Sequence, residues 1–274
     1  MLIDPYDENC LDLMYSRVRS LEAGINLYLL IDGVFIPGLY RKVSSAIGEE
    51  SVRLLFETLP SCSAAVRDVS PFLVKIDAAA WTDVEDLLRY CDGFPMTGAI
   101  ETRETLVELT ARLAGWCIVY AGNQRFNLRF PDTRRLASIH GALAQKQREQ
   151  LTGPATRWSY IGRSGNWSDL TISASDTPPV RTSPIFTETQ FSLMLNDSEA
   201  DEILAVLAVQ DRLPNCRPSQ LYATATQALR LVEKASLTDE QRKAWCELCL
   251  GQAESTDDAV LIGKMKHWLE TLPV

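Results

Sequence analysis

Cys246-Glu247-Leu248-Cys249 is the spacing in this chain with the most chemical potential, because C-x-x-C supplies half of a zinc site or one redox pair. A structural zinc site needs a second pair at matching spacing. The nearest other candidates, Cys216 and His267, do not provide one. The run sits in an apolar helical stretch beside Trp245, without the strand that opens a thioredoxin-like βαβ unit, so core packing accounts for it. The two histidines, His140 and His267, fall on separate helical segments and read as surface or dipole-facing residues. Gly162-Arg163-Ser164-Gly165 is not the G-x-S-x-G elbow of hydrolases, and neither G-x-x-x-x-G-K-[ST] nor G-x-G-x-x-G occurs. The carboxylates Glu199, Asp201, Glu202 and Asp257, Asp258 stand at helix starts, where they complement the macrodipole. The sequons Asn166-Trp167-Ser168 and Asn196-Asp197-Ser198 carry no weight in a cytosolic chain. No catalytic, cofactor-binding or metal-binding residue is assigned, and the expectation is a protein that is not an enzyme and uses no cofactor.

What remains is surface. Arg157, Trp158, Tyr160, Arg163 and Trp167 are residue types enriched at binding hot spots and crowd one short stretch, so they are the candidate partner-contact patch. The competing reading is that they close a sheet core and line its rim. Arg129 and Asp132 are assigned to a structural junction between a hairpin and the helix that follows.

The 274-residue chain is long enough for one large domain or two modest ones. Its net charge of −9 argues against a nucleic acid partner. The acidity is uneven: Phe186 to Val274 carries 14 acidic and 8 basic residues, a net of −6. Solubility explains that, and so would attraction to a basic partner. Seven irregularly spaced cysteines, several within apolar runs, suit reduced thiols. The first residues lack a basic n-region followed by an apolar stretch, and no apolar run reaches the roughly 18–20 residues that span a bilayer. The expectation is a cytoplasmic protein without a membrane partner.

Periodicity supplies the elements that would position these residues. Asp12–Ala23 reads as a helix, Asn26–Ile31 as a buried strand ending in the turn Asp32-Gly33, and Leu39–Ile47 as a short helix. Strands are expected at Val52–Phe56, Ser70–Asp77 and Thr97–Thr102, and a helix at Asp83–Cys91. Thr105-Leu106-Val107-Glu108 matches a capping box. Two hairpins follow, one around Ala121–Gln124 and one around Arg163–Asn166, with Asp132 capping a helix from Thr133 to Leu143 between them. Ser173–Ser183 reads as a linker. Beyond it the signals are helical: Asp197–Val209, Leu221–Ala235, Thr238–Leu250 and Asp257–Leu272. The fold class is therefore α+β, a mixed-sheet α/β lobe (1–185) with hairpins and a small all-α lobe (186–274). Alternating strands and helices favour a largely parallel or mixed sheet, and the hairpins add an antiparallel portion.

Several stretches, in this order, resemble the DUF4123-type adaptors of type VI secretion, also called Tap or TEC effector chaperones. They are Asn26–Gly33 with Pro37-Gly38-Leu39, Leu54–Thr58 through Ser70–Asp77, Arg129–Leu136, the aromatic hairpin Trp158–Trp167, and Phe186–Phe191. The family-like core is about 26–172, and the likeness extends to about residue 200. Pro131 departs from the pattern, as does the segment Cys91–Gly98, which lacks a tryptophan usual there. The resemblance implies a cytoplasmic adaptor that binds a secreted effector and brings it to the VgrG spike tip or its PAAR-containing cap. The linker at Ser173–Ser183 and the charge asymmetry add the expectation that the α/β lobe is a general docking platform and the acidic helical lobe selects the cargo. Two other readings stand beside it: a structural or regulatory interaction domain with a different partner, and an enzyme on an unfamiliar α/β lobe.

Overall fold

The computed structural model describes residues 2–59, 62–196, 198–251 and 258–271. The chain divides into two compact units, Met1–Met194 and Leu195–Val274. The division falls later than the 185/186 boundary read from the sequence.

In the first unit the elements run α1 (Cys10–Arg19), β1 (Asn26–Ile31), α2 (Leu39–Ile47), β2 (Val52–Leu54), α3 (Ala64–Asp68), β3 (Phe72–Lys75), α4 (Trp81–Tyr90) and β4 (Thr97–Thr102). They continue with α5 (Leu106–Ala114), β5 (Ile118–Ala121), β6 (Gln124–Asn127), α6 (Thr133–Ala142), α7 (Gln145–Thr152), β7 (Ala155–Ile161), β8 (Trp167–Asp169) and β9 (Ile185–Phe186). The helix α8 (Glu188–Asn196) spans the division between the units.

The α+β class holds, but the main sheet is not parallel. Its six strands lie in the order β2-β3-β1-β4-β7-β8, every neighbouring pair antiparallel. The βαβ rhythm is real, since β1 and β2 point the same way, as do β3 and β4. Each such pair leaves one slot between its strands. β3 fills the slot between β1 and β2, and β1 fills the slot between β3 and β4, giving the split βαβ arrangement of ferredoxin-like sheets. Among the described residues the one parallel pairing, β5 with β9, belongs to a separate three-stranded sheet ordered β6-β5-β9.

Both faces of the main sheet are covered, which explains why β1 reads as a continuous apolar run. Leu27, Leu29 and Ile31 face a core shared with Leu39 and Val43 of α2 and Leu87 and Leu88 of α4. Tyr28 and Leu30 face the opposite core, with Leu109 and Leu113 of α5, Leu136 of α6 and Trp158 of β7. Register aligns Tyr28, Ile100 and Trp158 side by side across β1, β4 and β7. The capping box of α5 is present in full: Glu108 N donates to Thr105 Oγ1 at 3.3 Å, and Thr105 N donates to Glu108 Oε2 at 2.8 Å. Such a cap stabilises a helix by about 0.5–2 kcal/mol.

The segment 173–183 behaves as a packed strap within this unit. Ser175 N donates to Gly153 O at 2.8 Å, Val180 packs on the α5 side core, and the chain then enters β9. Arg112 of α5 anchors the strap. Its Nε donates to Glu104 Oε1 at 2.8 Å, and its Nη1 reaches Gln150 O at 2.9 Å and Thr177 O at 3.1 Å. Gly153, at φ +52, lies so close that a Cβ there would stand 2.3 Å from Arg112 Cζ.

The second unit holds α9 (Glu199–Val209), α10 (Pro218–Leu231), α11 (Asp239–Leu250) and α12 (Asp258–Glu270) around a core that includes Ile203, Leu207, Ala225, Leu229 and Trp245. Thr238 caps α11, accepting from Gln241 N at 3.3 Å. The expected termini of the last helix, Asp257 and Leu272, and the central Asp197 of the second sequon lie outside the described residues. α9 closes with a Schellman turn: Arg212 N donates to Leu207 O at 2.9 Å and Asp211 N to Ala208 O at 3.1 Å. The left-handed residue of that turn is Asp211, at φ +55, where glycine is usual.

Candidate functional site

Strand alternation splits the five hot-spot candidates, because successive side chains of β7 point to opposite faces. Trp158 is 1% exposed, edge-on to Phe130 at 6.3 Å, so it is a core side chain and burial closes it off from a partner. Tyr160 packs partly buried on the same side. Arg157 lies on the other face, exposed. Arg163 sits in the β7–β8 turn, where its carbonyl accepts from Asp4 N at 2.9 Å. Trp167 packs against the N-terminal segment and donates from Nε1 to Cys10 O at 3.0 Å. The five do not form one patch.

Of the five, Arg157 lines a polar cleft of about 560 Å3 between α1, β4, β7 and β8. Arg17 of α1 is its hub. Arg17 donates from Nε and Nη2 to Glu101 Oε1 at 2.9 and 2.6 Å, and from Nη1 to Ser159 Oγ at 3.0 Å. Its guanidinium stands 5.8 Å from the centre of the Trp167 ring. Arg157 donates to both oxygens of Asp169, at 3.1 and 2.9 Å, and the Ser159 hydroxyl donates to the same carboxylate. Burial lowers the pKa of Arg17. Burial opposes ionisation of Asp169, but the bonds from Arg157 and Ser159 outweigh it and hold that carboxyl below its usual range. Ser159 is engaged on both sides, by a carboxylate and by a guanidinium that cannot take its proton. The cleft is thus a self-neutralised surface suited to polar contact. Arg17, Glu101, Ser159 and Asp169 escaped the sequence reading, although Glu101, a charge inside the otherwise buried run Thr97–Thr102, was a usable signal.

Arg129 and Asp132 meet at the junction that opens α6, and a third residue joins them. Asp132 accepts from Arg134 N at 3.1 Å, capping α6, and from Arg134 Nη2 at 2.8 Å. Arg129 Nη2 donates to Asp32 Oδ2 at 2.8 Å and stands 3.6 Å from Asp132 Oδ2. Asp32, at the turn after β1, is as buried as Asp132, both 2% exposed. Burial raises the Asp32 pKa, against the pull of Arg129. Arg129 and Arg134 both lie over the Phe35 ring, at 5.3 and 5.7 Å. The junction therefore ties the β1 turn to α6, and it leaves Arg129 44% exposed at the surface.

The C-x-x-C lies on α11 with both thiols buried, and burial pushes Cys246 up to about 12 and Cys249 up to about 11. Thiols so held stay protonated and unreactive. His140 is buried on α6, its pKa lowered by burial and by Arg148. Among the described residues no three of His, Cys, Asp and Glu gather as metal ligands would, and no helix is long and apolar enough to cross a membrane.

The first unit is thus defined as an antiparallel split-βαβ sheet, covered on both faces, with a charged cleft at one end. Residues 27–150, from β1 into α7, match the family model DUF4123, described as a domain of unknown function, so this unit contains a DUF4123 domain. No curated protein and no solved structure matches the chain.

Proposed function

We propose that this protein is a cytoplasmic adaptor that binds a type VI secretion effector and helps load it onto the VgrG spike or a PAAR-containing protein. The observation that carries the reading is the DUF4123 match over 27–150, which overlaps three of the sequence stretches that resemble the adaptor family. The adaptor works by binding and release, without breaking a bond. Its surface chemistry is compatible with that role, since the polar cleft offers the paired charges Arg17–Glu101 and Arg157–Asp169 to a partner.

The test is co-expression of the full chain with any toxin and spike-tip protein that the neighbouring reading frames encode, followed by size-exclusion chromatography. The expected result is a stable complex of adaptor and toxin that elutes as one species. A toxin that elutes separately at micromolar concentration, or a purified chain that turns over a small molecule, overturns the reading.

A further inference from the structure

The second unit contains one helix whose sequence does not suit its position. After the acidic first turn of Glu199, Asp201 and Glu202, every residue of α9 from Ile203 to Val209 is apolar. A helix apolar all round is expected to be buried all round. Among the described residues only one side is covered: Ala200, Ile203 and Leu207 enter the core of the unit. Ala205, Val206, Ala208 and Val209 are exposed, Val206 at 42% and Val209 at 90%. Val206 and Val209 stand three residues apart, so they share one face, and Ala205 adjoins both. The Schellman turn at Asp211 fixes the end of this face, and Arg212 is tied to Glu247 of α11 at 2.6 Å. The stripe is presented on a capped, packed helix.

Charge selects what covers it. The chain carries −9 overall, with −6 between Phe186 and Val274. A second copy would bring the same acidic surface against itself, whereas a segment with basic residues flanking an apolar face is attracted. We infer that the outward face of α9 docks an amphipathic, basic helical segment of the cargo protein. This rests on the adaptor reading and assigns its cargo contact to the face around Val206 and Val209.

The experiment uses the full chain and the variant Val206→Ser/Val209→Ser, which removes apolar surface without changing charge. Both positions point outward, so the variant should keep the far-UV circular dichroism and melting temperature of the parent. The probe is a synthetic amphipathic helix of about 18 residues with leucine on one face and lysine on the other, its affinity read by fluorescence anisotropy. A twin peptide with glutamate in place of lysine is the control. The lysine peptide should bind the parent chain, and the serine variant and the glutamate peptide should each bind about tenfold more weakly or worse. Equal affinity of the two proteins for the lysine peptide overturns the proposal, as does no binding to the parent. A parent chain that sediments as a dimer and becomes monomeric in the variant also overturns it, since the occupant is then a second copy. The adaptor reading is judged separately: a toxin complex that forms equally well with parent and variant leaves that reading standing and removes α9 from it.

Discussion

Two arginine–carboxylate pairs in the first unit use the same chemistry in opposite settings. Arg157 and Asp169 meet at the rim of the polar cleft, with side chains 43% and 47% exposed. Arg112 and Glu104 meet beneath the strap, at 5% and 10%. Water screens the first pair, which can part and re-form against another surface. The second has no such freedom, because Arg112 also satisfies two carbonyls and Glu104 Oε2 already lacks a hydrogen-bond partner. Burial raises the Glu104 pKa even with Arg112 beside it. An exposed pair is an available contact, whereas a buried one fixes the chain around it.

Removing Arg112 is the strongest way to break this contrast. Arg112→Ala strands Glu104 and frees the strap, and should cost about 3–5 kcal/mol in urea unfolding; a loss under 1 kcal/mol would mean the pair is not holding the fold. Gly153→Ala attacks the same node from the backbone, since φ +52 with ψ −135 suits only glycine and the new Cβ meets the guanidinium. A destabilisation of about 1–3 kcal/mol is expected, and an unchanged melting temperature would contradict the close approach.

Asp32 sharpens the comparison as a buried carboxylate whose arginine partner, Arg129, is half exposed. Its folded pKa is raised above the ordinary 3.8. The folded state therefore holds that proton more tightly than the unfolded one. The stability this confers is complete below the ordinary value and lost as pH rises through the raised one. Stability of the parent relative to Asp32→Asn should fall over that window, read from urea midpoints; parallel profiles would remove Asp32 as the source. The smallest effect belongs to the rim. Arg157→Ala should change stability by less than about 1 kcal/mol, and a larger loss would place the cleft among the structural nodes.

Much of the fold was legible in the sequence. β1, α2 and β4 occupy the bounds that periodicity gives them, and the caps at Thr105, Asp132 and Thr238 are where their side chains place them. Non-local pairing was not legible. Nothing in β1 or β3 says that β3 inserts beside β1, so same-direction strands read as parallel neighbours. α7, Gln145–Thr152, is mostly polar and gives no apolar stripe to find. The strap reads as a linker because its contacts run through Arg112 and backbone groups, whose partners sequence does not reveal. Trp158 failed as a contact residue because alternation separates the two faces of β7 without saying which is covered. The outward face of α9 was not legible for the opposite reason: a run that is apolar all round does not say which side is covered, and only exposure shows that Val206 and Val209 face water.

The insertion of β1 between β3 and β4 also governs how the chain is made. Translation releases Asn26–Ile31 first, yet its two partners, Phe72–Lys75 and Thr97–Thr102, follow dozens of codons later. Until residue 102 leaves the ribosome, the most apolar strand of the sheet has at best one side paired. The nascent chain therefore carries an open edge on β1 until Thr102 emerges, and the sheet cannot close around that strand before then.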